Sequence, residues 1–231
     1  MSQFGDLAAK FNDDIIAIIG LGGTGSYILD FMAKTRVREI RLFDHDNFRV
    51  HNAYRAPGRL QEDELGKNKA EMYVKRYEDF RAGTSAKPKF IDASCADDLD
   101  GVTFAFVSVD KGTSRAGIFE LLISKKIPFI DVGMGLNRKH GSLGGMLRVT
   151  YYSAEDGDAV RAMGVAEVSD SPNDEYRRNV QTSELNALNA CLAVLKFKQL
   201  RGFYYQESAD FHFLFGVEDV HIVSEREIKS H

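Results

Sequence analysis

Residues 15–46 read IIAIIGLGGTGSYILDFMAKTRVREIRLFDHD, and this stretch decides the fold. Ile15–Ile19 is an unbroken apolar run, the composition of a strand buried on both faces. Gly20-Leu21-Gly22-Gly23-Thr24-Gly25 follows as a tight turn, and a helix over about 25–34 continues from it. Residues 39–43 (EIRLF) predict a second strand, ending at Asp44-His45-Asp46. Glycines at such a turn let a phosphate approach the backbone, and the helix N-terminus offers free N–H donors and positive dipole character. An acid at the end of the next strand, about 20 residues on, accepts hydrogen bonds from ribose hydroxyls. This much says nucleotide and leaves ATP and NAD both open. A tight turn without a ligand is the structural alternative.

The same grammar extends outward. Residues 66–80 read as a helix, and Phe90-Ile91 as a short strand. Residues 102–109 (VTFAFVSV) make a stronger strand, followed by a helix over 114–124 and a buried strand over 127–132. Alternating strands and helices predict an α/β, Rossmann-like, mostly parallel sheet wound with helices. After Gly141 the pattern changes. Residues 141–152 and 211–224 read as antiparallel C-terminal strands, the latter with Phe211, Phe213 and Phe215 alternating. Between them, 153–182 is polar and reads as a long mobile loop. A helix over 183–200 follows, with Leu185, Leu188, Leu192 and Leu195 at helical spacing as its expected core face. The chain is read as one domain over 1–231. Residues 12–150 form a nucleotide-binding half, 151–182 a crossover loop, and 183–231 a late helix with antiparallel strands.

Composition narrows the function. With 231 residues and 44% hydrophobic content the chain can bury a real core. A net charge of −4 gives no general attraction to nucleic acid or anionic membrane. Two cysteines, Cys95 and Cys191, exclude a disulfide scaffold and a cysteine-built zinc site. The start of the chain does not read as a secretory signal, and no apolar stretch is long enough to span a bilayer, so a cytoplasmic location is expected. The six histidines show no metal-ligand spacing, and no nucleophile elbow is present.

Charged residues past the ribose acid separate ATP from NAD. Asp46 is one carboxylate more than ribose recognition needs, although an acid there also reads as a solvated loop residue. Asn52, Arg55 and Lys69 follow within HNAYRAPG and LGKNK. A triphosphate uses such a set: arginine clamps phosphate oxygens with its planar fork, and lysine supplies a point charge. Asp110 closes the strand VTFAFVSV, at the end where ligands of open α/β sheets bind. A carboxylate facing a triphosphate there is a natural Mg²⁺ ligand; capping the next helix is its alternative duty.

As a set, Gly20–Gly25, Asp44-x-Asp46, Asn52-x-x-Arg55, Gly66-x-x-Lys69 and Asp110 followed by Arg115 resembles the adenylation domain of the ThiF/MoeB/HesA family, relatives of ubiquitin-activating and sulfur-carrier-activating enzymes. The resemblance covers about residues 12–150, and the helix ELNALNACLAVLKFKQLRGFY is similar to the family's late helix. It implies that the C-terminal carboxylate of a small ubiquitin-like or sulfur-carrier protein, or a peptide, attacks the α-phosphate of Mg·ATP and releases pyrophosphate. Asp44 would hold ribose; Asn52, Arg55 and Lys69 would hold phosphates; Asp110 would hold Mg²⁺. Arg55, Lys69 and Asp110 are thereby the catalytic set, and Gly20, Gly22, Gly23, Gly25, Asp44, Asp46, Asn52, Arg55 and Lys69 the nucleotide-binding set. A homodimer is implied as well.

The chain departs from that pattern in three places, the first being that the paired CxxC zinc motifs of many relatives are absent. No cysteine lies in the 153–182 loop to carry a thioester, and Cys191, within the late helix, is expected to be a buried core thiol. Cys95 has acidic neighbours, which argue against a nucleophile. Residues 1–14 contain no arginine to donate across a dimer. Two competing readings remain beside adenylation: an NAD(P)-binding oxidoreductase, and a non-catalytic nucleotide-binding scaffold subunit.

Overall fold

The computed structural model describes residues 5–166 and 180–226. The chain runs α1 (Gly5–Ala9), β1 (Ile15–Ile19), α2 (Gly23–Ala33), β2 (Glu39–Phe43), α3 (Val50–Ala53), a 3-10 turn (Glu62–Glu64), α4 (Lys69–Tyr77) and β3 (Thr84–Lys87). A second 3-10 segment (Ala93–Leu99) leads to β4 (Phe104–Val107), α5 (Gly112–Ser124), β5 (Phe129–Lys139) and β6 (Ser142–Tyr152). Then come α6 (Gly157–Ala162), α7 (Ser183–Leu200), β7 (Asp210–Gly216) and β8 (His221–Arg226).

All eight strands form one sheet in the order β3-β2-β1-β4-β5-β6-β7-β8. The five strands from β3 to β5 are parallel, and β5 through β8 are antiparallel. This is the α/β sheet with antiparallel C-terminal strands that the strand grammar predicts. The chain winds from β1 outward to β3 and then returns to place β4 on the other side of β1. That reversal opens a crevice beyond the C-terminal ends of β1 and β4, the switch point where such sheets bind ligands.

Strand period explains the two cores. Ile16, Ile18, Leu42, Phe104 and Phe106 face one side, where they meet α2, α4 and Phe197 of α7. Ile15, Ala17, Ile19, Ala105 and Val107 face the other, against Phe119 and Leu122 of α5. Both faces of β1 are covered, which is why its five residues are apolar without alternation.

Three local expectations change. The strand beside β2 is Thr84–Lys87, not Phe90-Ile91. An edge strand is only half covered and needs no apolar run, and Pro88 has no N–H to extend the ladder. The 153–182 stretch carries α6, against the expected structureless loop; residues 167–179 of it lie outside the described residues. On α7 the buried face is Asn186, Asn189, Ala190, Ala193, Val194, Lys196 and Phe197, not the leucines. Leu195 is 45% exposed. Hydropathy alone points the leucines inward, but each inward polar side chain makes a contact: Asn186 with Thr24, Asn189 Nδ2 with the Gly133 carbonyl and Lys196 with the Asp210 carbonyl, while Asn189 Oδ1 is buried without a hydrogen-bond partner.

Candidate functional site

The glycine turn follows β1 and opens α2, and its glycines have different duties. Gly20 has φ +90, a left-handed conformation that favours glycine, and an added Cβ would lie 2.8 Å from the Ser108 carbonyl oxygen. A Cβ on Gly25 would lie 2.0 Å from the Gly20 carbonyl oxygen, and one on Gly23 would lie 2.2 Å from the Asn186 side chain. Only at Gly22, the residue before α2, does the Cβ position face open space. The residue before α2 is Gly22, which has no side chain to cap the helix, so the first N–H groups of α2 are candidate donors toward that space. Ser108, one residue past β4, donates its hydroxyl to the Gly20 carbonyl at 2.7 Å and ties the two strand ends together.

Asp44 follows β2 and is buried beneath the turn. Its Oδ2 accepts the Leu21 N–H at 2.7 Å, and its Oδ1 accepts the Asp46 N–H at 2.8 Å. Asn68 caps α4 with its side-chain oxygen and donates to the Asp44 carbonyl at 3.0 Å. Lys69 is buried, with Nζ 2.9 Å from Asp46 and 3.7 Å from Asp44. Burial raises the Asp46 pKa, but the Lys69 hydrogen bond and charge, with His45 and Arg49, outweigh it and hold the carboxyl below its ordinary value. Ligand atoms of Asp44, His45 and Asp46 lie within 4.8 Å of one another, yet the Lys69 ammonium is already the counter-ion there. That geometry makes the cluster a poor cation site.

Asn52 and Arg55 come from the turn of α3. Asn52 is buried and its Oδ1 accepts the Arg49 N–H at 2.8 Å, so part of its amide serves the local turn. Arg55 is half-buried, and its Nε is buried without a hydrogen-bond partner. Burial lowers its pKa, and the Asp110 charge opposes that shift, which places Asp110 within electrostatic reach of the guanidinium. Asp110 itself is exposed in the loop between β4 and α5. His51 records the local field: burial, then the charges of Arg55, Arg49 and Lys69, push its pKa down. The structure therefore groups the glycine turn, Asp44, Asp46 and Lys69 at one end, with Arg55 and Asp110 at the other.

Arg115 reaches from α5 to the end of β4, where a guanidinium N–H donates to the Val109 carbonyl, and on to the sheet. Its Nε donates to Asp131 at 3.1 Å, and Arg148 meets the second Asp131 oxygen at 2.6 Å, an ion contact outside hydrogen-bond geometry. The network continues through Thr150 to the buried His212, whose pKa is lowered chiefly by burial.

Beyond the carboxylates, the ring of His45 meets that of Phe90 at 5.6 Å. Phe90 also lines a cleft of about 560 Å³, with Ile91, Asp92, Thr113, Gly117 and Glu120 among its walls. Cys191 is exposed on the outer face of α7, contrary to the expectation of a core thiol, because α7 turns its amides and not its leucines inward. Partial desolvation raises its pKa. Cys95 is buried. No helix among the described residues is long and apolar enough to cross a membrane.

Four residues here escape a reading of spacing: Asn68, Ser108, Asn186 and Asn189. Only Asn68 carries a local signal, an Asn directly before a helix. The others act through contacts 56 to 162 positions away in the chain.

Residues 4–196 match the ThiF family. The chain belongs to that family. It is 26% identical over 135 residues to tRNA threonylcarbamoyladenosine dehydratase of Escherichia coli, covering 56% of this chain and 50% of that one. The chain thus spans about half the length of that curated relative. Among solved structures it resembles PaaA, with a TM-score of 0.72 at 18% identity, over 97% of this chain and 67% of that one. It also resembles E. coli MccB crystallised with ATP, with a TM-score of 0.69 at 16% identity, over 97% of this chain and 67% of that one. At these identities the likeness establishes the fold.

Proposed function

We propose that this ThiF-family chain adenylates a carboxylate. ATP would bind with its phosphates at the Gly22 opening of α2 and its ribose at Asp44. The purine would lie toward the cleft that Phe90 lines, since the Phe90 ring meets that of His45 next to Asp44. The observation that carries the reading is Arg55. A half-buried guanidinium with an unpartnered Nε, on a segment whose carbonyl shares Asn186 with the glycine turn, suits an anion. A dehydrogenase has no general use for that cation just past the ribose acid, so ATP is favoured over NAD(P).

In the proposed step a carboxylate oxygen bonds to the α-phosphorus. The bridging P–O bond to the β-phosphate breaks, and its electron pair leaves with pyrophosphate. Arg55, the donors of Lys69 left over from its carboxylates, and the first N–H groups of α2 neutralise the charge that develops. Asp110 suits Mg²⁺: it is exposed, its charge reaches Arg55, and Mg²⁺ takes one or two carboxylates with phosphate oxygens. The metal would supply further neutralisation of the triphosphate.

The acceptor class we favour is the C-terminus of a small ubiquitin-like or sulfur-carrier protein, or a peptide, with the chain acting as a homodimer. MccB has been crystallised with both a nucleotide analogue and MccA, which supports a polypeptide substrate in this fold. The test is ATP titration followed by pyrophosphate exchange on adding candidate carriers. Exchange that depends on a carrier's free C-terminus supports the reading. Tight NADH binding with no ATP binding overturns it, and ATP binding without exchange on any carrier returns the chain to a scaffold role.

A further inference from the structure

Asn186 lies in the first turn of α7 and is fully buried. Two parts of the proposed nucleotide pocket meet at its amide. Its Oδ1 accepts the Thr24 hydroxyl at 2.8 Å, so it holds the glycine turn. Its Nδ2 donates to the Arg55 carbonyl at 3.4 Å, so it holds the arginine segment. It also fills the space that a side chain on Gly23 would need, with Cγ only 2.5 Å from that Cβ position. A second tie runs parallel, between the Tyr27 hydroxyl on α2 and Ser183 on α7 at 2.5 Å. One turn on, Asn189 is also fully buried and donates to the Gly133 carbonyl at 3.0 Å.

Asparagine is a poor helix former, and a buried amide is costly unless both ends are used. An apolar residue there would pack α7 on α2 more simply. The amide does what an apolar side chain cannot: it accepts from one phosphate-facing segment and donates to the other. Gly23 then has a reason unrelated to phosphate. It is glycine because Asn186 stands in its Cβ space, whereas Gly22 alone faces the opening.

Resting on the adenylation reading, we infer that Asn186 is a positioning residue. It sets the distance between the N-terminus of α2 and the Arg55 segment, so that backbone N–H groups and the guanidinium converge on one phosphate chain. It touches neither base nor ribose contacts, so its effect is confined to the phosphates.

The experiment compares ATP and adenosine affinities of the full chain with thermal midpoints. Asn186→Ala is expected to weaken ATP about tenfold, the value of a lost buried hydrogen bond in affinity, and to leave adenosine unchanged. If Asn186→Ala does not fold, Asn186→Ser is measured the same way. Gly23→Ala alone is expected to lose ATP binding. Gly23→Ala combined with Asn186→Gly is expected to match Asn186→Gly alone, because the clash is relieved. Unchanged ATP affinity in Asn186→Ala overturns the inference. So does a parallel fall of ATP and adenosine, which marks a general structural role, and so does a double variant much weaker than Asn186→Gly. A folded wild-type chain that binds no ATP overturns the adenylation reading itself, and this inference falls with it.

Discussion

The backbone N–H of Leu21 donates to Asp44 Oδ2 at 2.7 Å, so the carboxylate proposed to hold ribose is also the peg that holds the glycine turn. The other oxygen accepts from Asp46, and the residue is buried. Asp44→Ala leaves two donors without their acceptor, at a cost of about 1–3 kcal/mol for each that stays buried. The expected outcome is a lowered thermal midpoint together with weakened ATP binding. Asp44→Asn keeps one acceptor and is expected to be milder on stability. An unshifted midpoint in Asp44→Ala would show that the turn does not depend on this carboxylate.

Arg55 predicts opposite effects on stability and binding. Its half-buried charge is held without compensation at Nε. Arg55→Met removes that burden while keeping most of the packing, so its melting temperature is expected to equal or exceed wild type. Its ATP affinity is expected to fall at least about tenfold, the loss of one charge-assisted contact. Calorimetric titration and a thermal melt on one preparation check both. A variant that loses stability but keeps ATP affinity contradicts the anion-site reading.

Asp110→Asn removes the carboxylate assigned to Mg²⁺ and retains the shape. Wild-type ATP binding is expected to tighten with added Mg²⁺ and to weaken on chelation with EDTA. In Asp110→Asn that difference is expected to shrink. Equal Mg²⁺ dependence in both proteins would move the metal assignment elsewhere.

Glu64 and Arg76 brace the segment between Arg55 and Lys69. Arg76 donates to Glu64 at 2.7 and 2.9 Å and to the Pro57 carbonyl at 2.9 Å. Burial raises the Glu64 pKa, but the Arg76 hydrogen bond, the Gln61 N–H and the Arg76 charge outweigh it, so the net shift is downward. A carboxyl depressed in the folded state contributes stability that is present above its unfolded pKa, about 4.3, and lost as pH falls through the folded value. Glu64→Gln is therefore expected to be less stable than wild type at pH 7, and the gap is expected to close below about pH 4. Denaturant unfolding across that range measures it. A gap that stays constant with pH would assign the loss to packing.

Cys191 is exposed on the outer face of α7, away from the inward amides, and its raised pKa disfavours the thiolate. Cys191→Ser is expected to retain ATP binding and carrier-dependent pyrophosphate exchange at wild-type levels. Loss of exchange with ATP binding intact would identify a thiol role.

The strand grammar was readable because burial on both faces forces a composition. Ile15–Ile19 has no solvent side, so it is apolar throughout, and β2 over 39–43 falls where the reading placed it. The candidate-site residues were readable as a group because their order follows the chain's path: turn, strand end, α3, α4. The β3 strand was not, since an edge strand has a half-exposed face and no apolar signature.

By itself, then, the sequence determined the winding of the sheet, the place of the glycine turn and the run of charged residues from Asp44 to Asp110. Tertiary structure alone decided what each glycine is for, which face of α7 goes inside, and which oxygen or nitrogen is left for a ligand. The physical reason is distance along the chain. Asn186 meets Thr24 across 162 residues and Ser108 meets Gly20 across 88, and no local periodicity encodes such contacts. The buried amides of α7 look out of place in a linear hydropathy reading and become explicable only once the groups they satisfy stand beside them.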